Sequence, residues 1–246
     1  MKFKRIYSLD ENFFEKIDTE RKAYILGFVY ADGNNKSQNS GLSITISYDD
    51  KELLEEIKNE LKSNAKITEQ NINGFKQVHI DFNSYKLSRD LEKQGCYKNK
   101  TYKIVFPLFL DESLMNHFIR GYFDGDGCIW EGERKKMLIR DKNTKTGFKN
   151  KTVHNVKFTV TSNTNFILGL QNYLVEHLGF KRNKIFNRNK NNTAISTLEY
   201  SGRGNVKKLY DFMYNNSTIC LKRKYDKFKK IIDFKNSLEN ENISNS

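Results

Sequence analysis

Residues 23–33 read Ala-Tyr-Ile-Leu-Gly-Phe-Val-Tyr-Ala-Asp-Gly, and residues 118–127 read Phe-Ile-Arg-Gly-Tyr-Phe-Asp-Gly-Asp-Gly. Both are apolar runs closed by Gly-x-x-x-small-Asp-Gly, so Gly27, Ala31 and Asp32 match Gly121, Gly125 and Asp126. Such self-similarity within one chain indicates a duplicated unit. Each stretch reads as a helix. Asp18 or Thr19, and Ser113, offer capping oxygens at the starts, and Gly33 and Gly127 stand where a left-handed residue commonly ends a helix. Both aspartates then fall on a last turn. Small residues four apart share a helical face. Two such faces can pack backbone against backbone in parallel, with Gly27 and Gly121 at the interface and Asp32 beside Asp126.

The repeat continues outward from the motifs. After the first, Leu42 to Ser47 alternates like a strand, and Asp50 to Leu61 carries Leu53, Leu54, Ile57 and Leu61 at helical spacing. After the second, Val156 to Thr161 alternates, and Asn165 to Leu178 carries Phe166, Ile167, Leu170, Leu174 and Leu178. Further strands are predicted at 66–70, 77–82, 184–188 and 194–200, with Asn73-Gly74 and the polar residues 189–192 as hairpin turns. Each half thus reads αββαββα, an α+β class built on antiparallel sheets. The single proline, Pro107, marks the boundary, giving an N-terminal repeat over 1–111 and a C-terminal repeat over 112–235. Residues 236–246 are Asn, Ser and Glu with two apolar residues, and read as a disordered tail.

Two carboxylates at helix ends repel each other, and the unpaired carbonyls there add partial negative charge. A divalent cation relieves that repulsion, and an oxygen-only donor set favours Mg2+, with Mn2+ as the alternative. Such a site can activate water and stabilise charge on a phosphodiester. A lone Asp-Gly after an apolar helix is merely a stop signal; two at matching places argue for more.

The partner is indicated by charge. With 43 Lys and Arg against 30 Asp and Glu in 246 residues, the formal net charge is +13, which implies a polyanion, nucleic acid first. No apolar run approaches a membrane span and no signal-peptide core follows Met1, so the expectation is a soluble chain with no membrane partner. Cys96, Cys128 and Cys220 are odd in number and widely separated, as in a reducing cytoplasm or organellar matrix. The four histidines stand alone and read as packing or surface residues.

Residues 25–33 and 119–127 resemble the LAGLIDADG motif, and the flanking residues 13–23, His117 and the run Leu221-Lys-Arg-Lys-Tyr225 extend the likeness along nearly the whole chain. The sequence resembles a monomeric, two-motif LAGLIDADG homing endonuclease. That resemblance implies pseudo-twofold repeats with the motif helices at the interface and two sheets forming a DNA-binding saddle. It also implies a sequence-specific double-strand break made by metal-dependent hydrolysis, serving homing of the protein's own gene or intron. By the same resemblance Asp32 and Asp126 are the catalytic metal ligands, assisted by the carbonyls of Ala31 and Gly125. Lys100 and Lys224 are the basic residues beside the scissile phosphates, with Lys98 and Lys222 as near-equal competitors. Tyr30 replaces the motif's inner aspartate in the first copy, while Asp124 keeps it in the second.

Relative to the first repeat, the second carries an insertion over 131–155 with Arg134, Lys135, Lys136, Arg140 and Lys142, read as a long basic hairpin along DNA. Lys76, Gln77 and Lys157 lie on strand faces that alternate polar and apolar residues and could meet DNA. Three rivals stay open: a non-cutting DNA-binding regulator, an RNA maturase binding its own intron, and a structural or ribosome-associated basic protein. An intein origin is disfavoured, since neither terminus carries splicing residues.

Overall fold

The computed structural model describes residues 6–36, 41–140, 145, 148–187 and 194–244. The first half runs α1 (Glu20–Asp32), β1 (Gly33–Asn35), β2 (Leu42–Ser47), α2 (Lys51–Glu60), β3 (Thr68–Ile72), β4 (Phe75–Phe82) and α3 (Tyr85–Lys93). Short 3-10 turns cover Tyr48–Asp50 and Lys100–Tyr102. The second half runs α4 (Glu112–Asp126), β5 (Gly127–Arg140), β6 (Phe148–Asn163), α5 (Thr164–Leu178), β7 (Ile195–Ser201), α6 (Arg203–Tyr214) and α7 (Lys222–Ser244). Two antiparallel sheets result, ordered β1-β2-β4-β3 and β5-β6-β7.

The Asn73-Gly74 hairpin turn forms as predicted, with φ of 53° and 85°, the paired positive angles that match the twist of the flanking strands. In the second half the predicted strand at 184–188 is represented only by Phe186, which bridges Thr197; residues 188–193 lie outside the described residues. The tail also differs from expectation. Helix α7 continues through 236–244, because adding residues to an existing helix fixes few dihedrals per hydrogen bond gained. The existing turns are anchored by Phe228 and Ile231, both buried.

Helices α1 and α4 pack through their glycines. A Cβ on Gly27 would lie 2.0 Å from the Phe118 carbonyl oxygen, and one on Gly121 would lie 1.9 Å from that of Tyr24. One on Gly125 would lie 2.3 Å from the Cβ of Ala31. Contacts advance together along both helices, so they run parallel and end side by side. Gly33 and Gly127, however, are extended (φ −73° and −84°) rather than left-handed, because the chain passes straight into β1 and β5. Space requires them to be glycine. Their Cβ atoms would fall 2.6 Å from Val29 Cγ1 and 2.0 Å from Phe123 Cδ2. Thr19 caps α1 through Lys22 N, and Asp111, not Ser113, caps α4.

One apolar cluster runs through both halves. Phe106, just before Pro107, stacks edge-on against Phe118 and Phe166 and closes the seam. A second tie is Arg120, which is fully buried. Its guanidinium donates to the carbonyls of Ile219 (3.0 Å) and Met213 (2.6 Å) and to Glu20 Oε1 (2.8 Å), meets His117 Nδ1 at 2.9 Å, and lies over the Tyr24 ring.

Candidate functional site

The parallel helices deliver Asp32 and Asp126 to one place. Asp32 Oδ2 would be 3.2 Å from a Cβ on Gly125, the residue before Asp126. Solvent reaches both residues, while protein crowds each carboxylate on its remaining sides. That crowding, with the charge of Asp126, pushes the Asp32 carboxyl up to about 6 against the opposing pull of Lys224 and Lys100. Burial likewise raises Asp126, opposed by Lys100, Lys224 and a Tyr122 hydrogen bond.

The two candidate lysines sit on the helix ends. Lys224, 7% exposed, donates to the carbonyls of Phe123 (2.9 Å), Gly125 (2.9 Å) and Gly127 (2.6 Å). Burial lowers its pKa, opposed by the carboxylates of Asp124, Asp32 and Asp126. Lys100 donates to the Ala31 carbonyl. Cations at the C-terminal end of a helix are favoured by its dipole. Lys98 and Lys222, the sequence's competing candidates, are exposed.

The inner motif residue fastens each lysine segment. Buried Asp124 accepts from Tyr24 Oη (2.8 Å), Tyr214 Oη (2.6 Å) and the Leu221 amide (2.7 Å), three residues before Lys224. Burial raises its carboxyl against those hydrogen bonds. In the first copy Tyr30 does the equivalent work as a donor, its hydroxyl bonding the Gln94 carbonyl ahead of Lys100. The motif departure at Tyr30 thus exchanges an acceptor for a donor and keeps the anchorage.

An opening of about 210 Å³ beside Asp32 is lined by Ser47, Asp50, Gln77 and Arg223 among others. Sequence reasoning found Gln77 and missed Asp50 and Arg223, whose pairing spans the two halves. Among the DNA-contact candidates, Lys76 is exposed near the Tyr48 ring, and Lys157 pairs with Glu199 at 2.9 Å. Arg134, Lys135, Lys136 and Arg140 lie on β5, paired with β6 in the long hairpin predicted from the insertion; their side chains, and the whole of Lys142, are outside the description. Trp130, 40% exposed, joins Lys157 across that hairpin and was not foreseen.

Among the described residues no three His, Cys, Asp or Glu side chains cluster as a metal site, and no helix is long and apolar enough to cross a membrane.

Residues 113–213 match the LAGLIDADG-like domain family. A reverse gyrase of Methanocaldococcus jannaschii is 26% identical over 231 residues, 92% of this chain, while the chain spans only 11% of that relative's length. Among solved structures, the LAGLIDADG meganuclease I-AabMI bound to uncleaved DNA superposes with a TM-score of 0.54 at 17% identity, covering 87% of this chain and 91% of that one. The I-SmaMI LAGLIDADG homing endonuclease bound to cleaved DNA gives 0.55 at 16%, covering 92% and 91%. I-LtrWI bound to its target DNA gives 0.54 at 16%, covering 92% of each. The chain therefore carries a LAGLIDADG-like domain at 113–213 and, through both halves, has the fold of the LAGLIDADG homing endonucleases.

Proposed function

We propose that this chain is a site-specific DNA endonuclease that breaks both strands of a long target by metal-dependent phosphodiester hydrolysis. The observation that carries the reading is the convergence of Asp32 and Asp126 at the ends of two parallel helices, with Lys100 and Lys224 against those same ends.

The residues fit a divalent cation. Two carboxylates are crowded enough to hold the Asp32 carboxyl near 6, and every donor is oxygen, which suits Mg2+ or Mn2+. Asp32 and Asp126 would hold it, with the Ala31 and Gly125 carbonyls nearby and water completing the shell, as magnesium prefers. When bound, such an ion activates water and neutralises charge on the phosphate.

The chain's own residues do the rest. Asp32 and Asp126 fix where the reacting phosphates must lie. Lys100 and Lys224 bring positive charge to that place, where negative charge grows as the phosphodiester opens. Outside the centre, the polar faces of the two sheets and the basic hairpin supply the surface for a duplex, positioned through its phosphates. The reading includes homing of the chain's own gene or intron, action as a monomer, and a reducing, soluble compartment.

The test is incubation of purified protein with a randomised duplex library in Mg2+ or EDTA, sequencing new ends. Metal-dependent double-strand ends at one long site are expected, and Asp32→Asn and Asp126→Asn should each abolish them while leaving binding largely intact. Selective binding with no ends would move the reading to a non-cutting regulator. Binding to RNA alone would move it to a maturase.

A further inference from the structure

Each half takes hold of the other half's lysine segment. Asp50, immediately before α2, is 6% exposed and accepts from Arg223 Nε (2.7 Å) and Nη2 (2.9 Å), one residue ahead of Lys224. Asn163, immediately before α5, is 4% exposed and donates through Nδ2 to the carbonyls of Thr101 (3.2 Å) and Ile104 (2.8 Å), just after Lys100. The two residues occupy corresponding places, each preceding the first helix after its motif.

Their local duties differ. Asn163 also caps α5 through Oδ1, accepting from Phe166 N at 3.0 Å. Asp50 makes no side-chain cap bond, so its carboxylate is directed to Arg223. A buried carboxylate without a partner is costly, and here the partner is drawn from a segment 173 residues away.

Asp50 and Arg223 line one opening together with Asp32, while Lys224 donates to the Gly125 carbonyl and Lys100 to that of Ala31. Asp50 thus holds the segment that carries Lys224, and Asn163 holds the turn that carries Lys100.

Resting on the nuclease reading above, we propose that Asp50 and Asn163 are positioning residues, each aligning the opposite half's lysine segment for the cut of one strand. Loss of Asp50 misplaces Lys224, and loss of Asn163 misplaces Lys100.

Asp50→Asn and Asn163→Asp are nearly isosteric, and the second keeps a capping oxygen while removing the donor. Asn163→Ser, which also caps, serves as a second variant against a folding defect. On a supercoiled plasmid carrying the target, under single turnover in Mg2+, the parent should linearise. Each variant should accumulate nicked circles, with the Asp50 and Asn163 variants nicking opposite strands and cutting the remaining strand about tenfold to a hundredfold more slowly.

Equal slowing of both strands, or the same strand spared by both kinds of variant, would reduce these contacts to holding the fold and overturn the proposal. A parent that cuts no DNA would instead remove the nuclease reading. The alignment itself is read independently by hydrogen exchange of the metal-free proteins. Asn163→Asp should speed exchange over 97–104, and Asp50→Asn over 217–226. Unchanged exchange in both variants overturns the alignment.

Discussion

Asp32 carries its consequence in its acidity. Folding lifts its carboxyl from an ordinary 3.8 to about 6, so between those values the folded chain binds a proton that the unfolded chain releases. Stability contributed by the neutral carboxyl is complete below about 4 and is lost as pH rises through about 6. In EDTA at pH 7.5, Asp32→Asn should therefore be more stable than the parent, and the difference should close near pH 4. Because solvent reaches one side of the residue, the gain is discounted to about 1 kcal/mol. Added Mg2+ should raise the parent's melting temperature and leave that of the variant nearly still. Thermal denaturation across pH and metal measures both, and a variant less stable than the parent at pH 7.5 would show that the carboxylate is not under strain. The two motif aspartates were legible in the sequence because they repeat. Asp50, Asn163 and Arg223 were not, since their partners are remote in the chain and leave no local pattern.

The seam between α1 and α4 makes a sharper demand than its helices' composition suggests. A methyl on Gly27 or Gly121 would strike a carbonyl oxygen of the facing helix, and backbone cannot swing aside as a side chain can. Gly27→Ala or Gly121→Ala should lower stability by about 1–3 kcal/mol. Gly204→Ala, in α6 with nothing within 4 Å of the added carbon, should instead be neutral or stabilising by about 0.5–1 kcal/mol, the ordinary helix preference. Urea denaturation of the three variants compares them directly, and a similar loss in all three would refute the close approach. Spacing revealed the seam, because glycine and alanine at four-residue intervals define a face. It did not reveal why Gly33 and Gly127 are glycine. A helix followed by glycine usually signals a left-handed turn, whereas the cause here is crowding by Val29 and Phe123, which depends on where the chain goes next.

If it binds a duplex as proposed, a chain with a formal net charge of +13 should release counterions on binding. Neutralising about six phosphates would weaken binding by about 10³ between 50 and 200 mM salt. Fluorescence anisotropy against salt concentration gives the slope. Lys76→Ala should make that slope shallower by about one unit if Lys76 meets a phosphate, and an unchanged slope would place it off the duplex. The sheets and helix order followed from periodicity and the long hairpin from the insertion in the second repeat, except where the strand at 184–188 shrinks to a bridge at Phe186 and where helix α7 continues into a polar stretch.

Arg120 bears on the history of the chain. It occupies the place that Leu26 holds in the first motif, and it is satisfied by Glu20 of the first half together with carbonyls of the second. In the second half the residue matching Glu20 is Leu114. Two identical copies of the second half would thus face each buried guanidinium with a leucine. The second half can therefore not serve as its own mate without leaving that buried charge short of its carboxylate, and the divergence of the repeats works as a ratchet that opposes return to a symmetric pair.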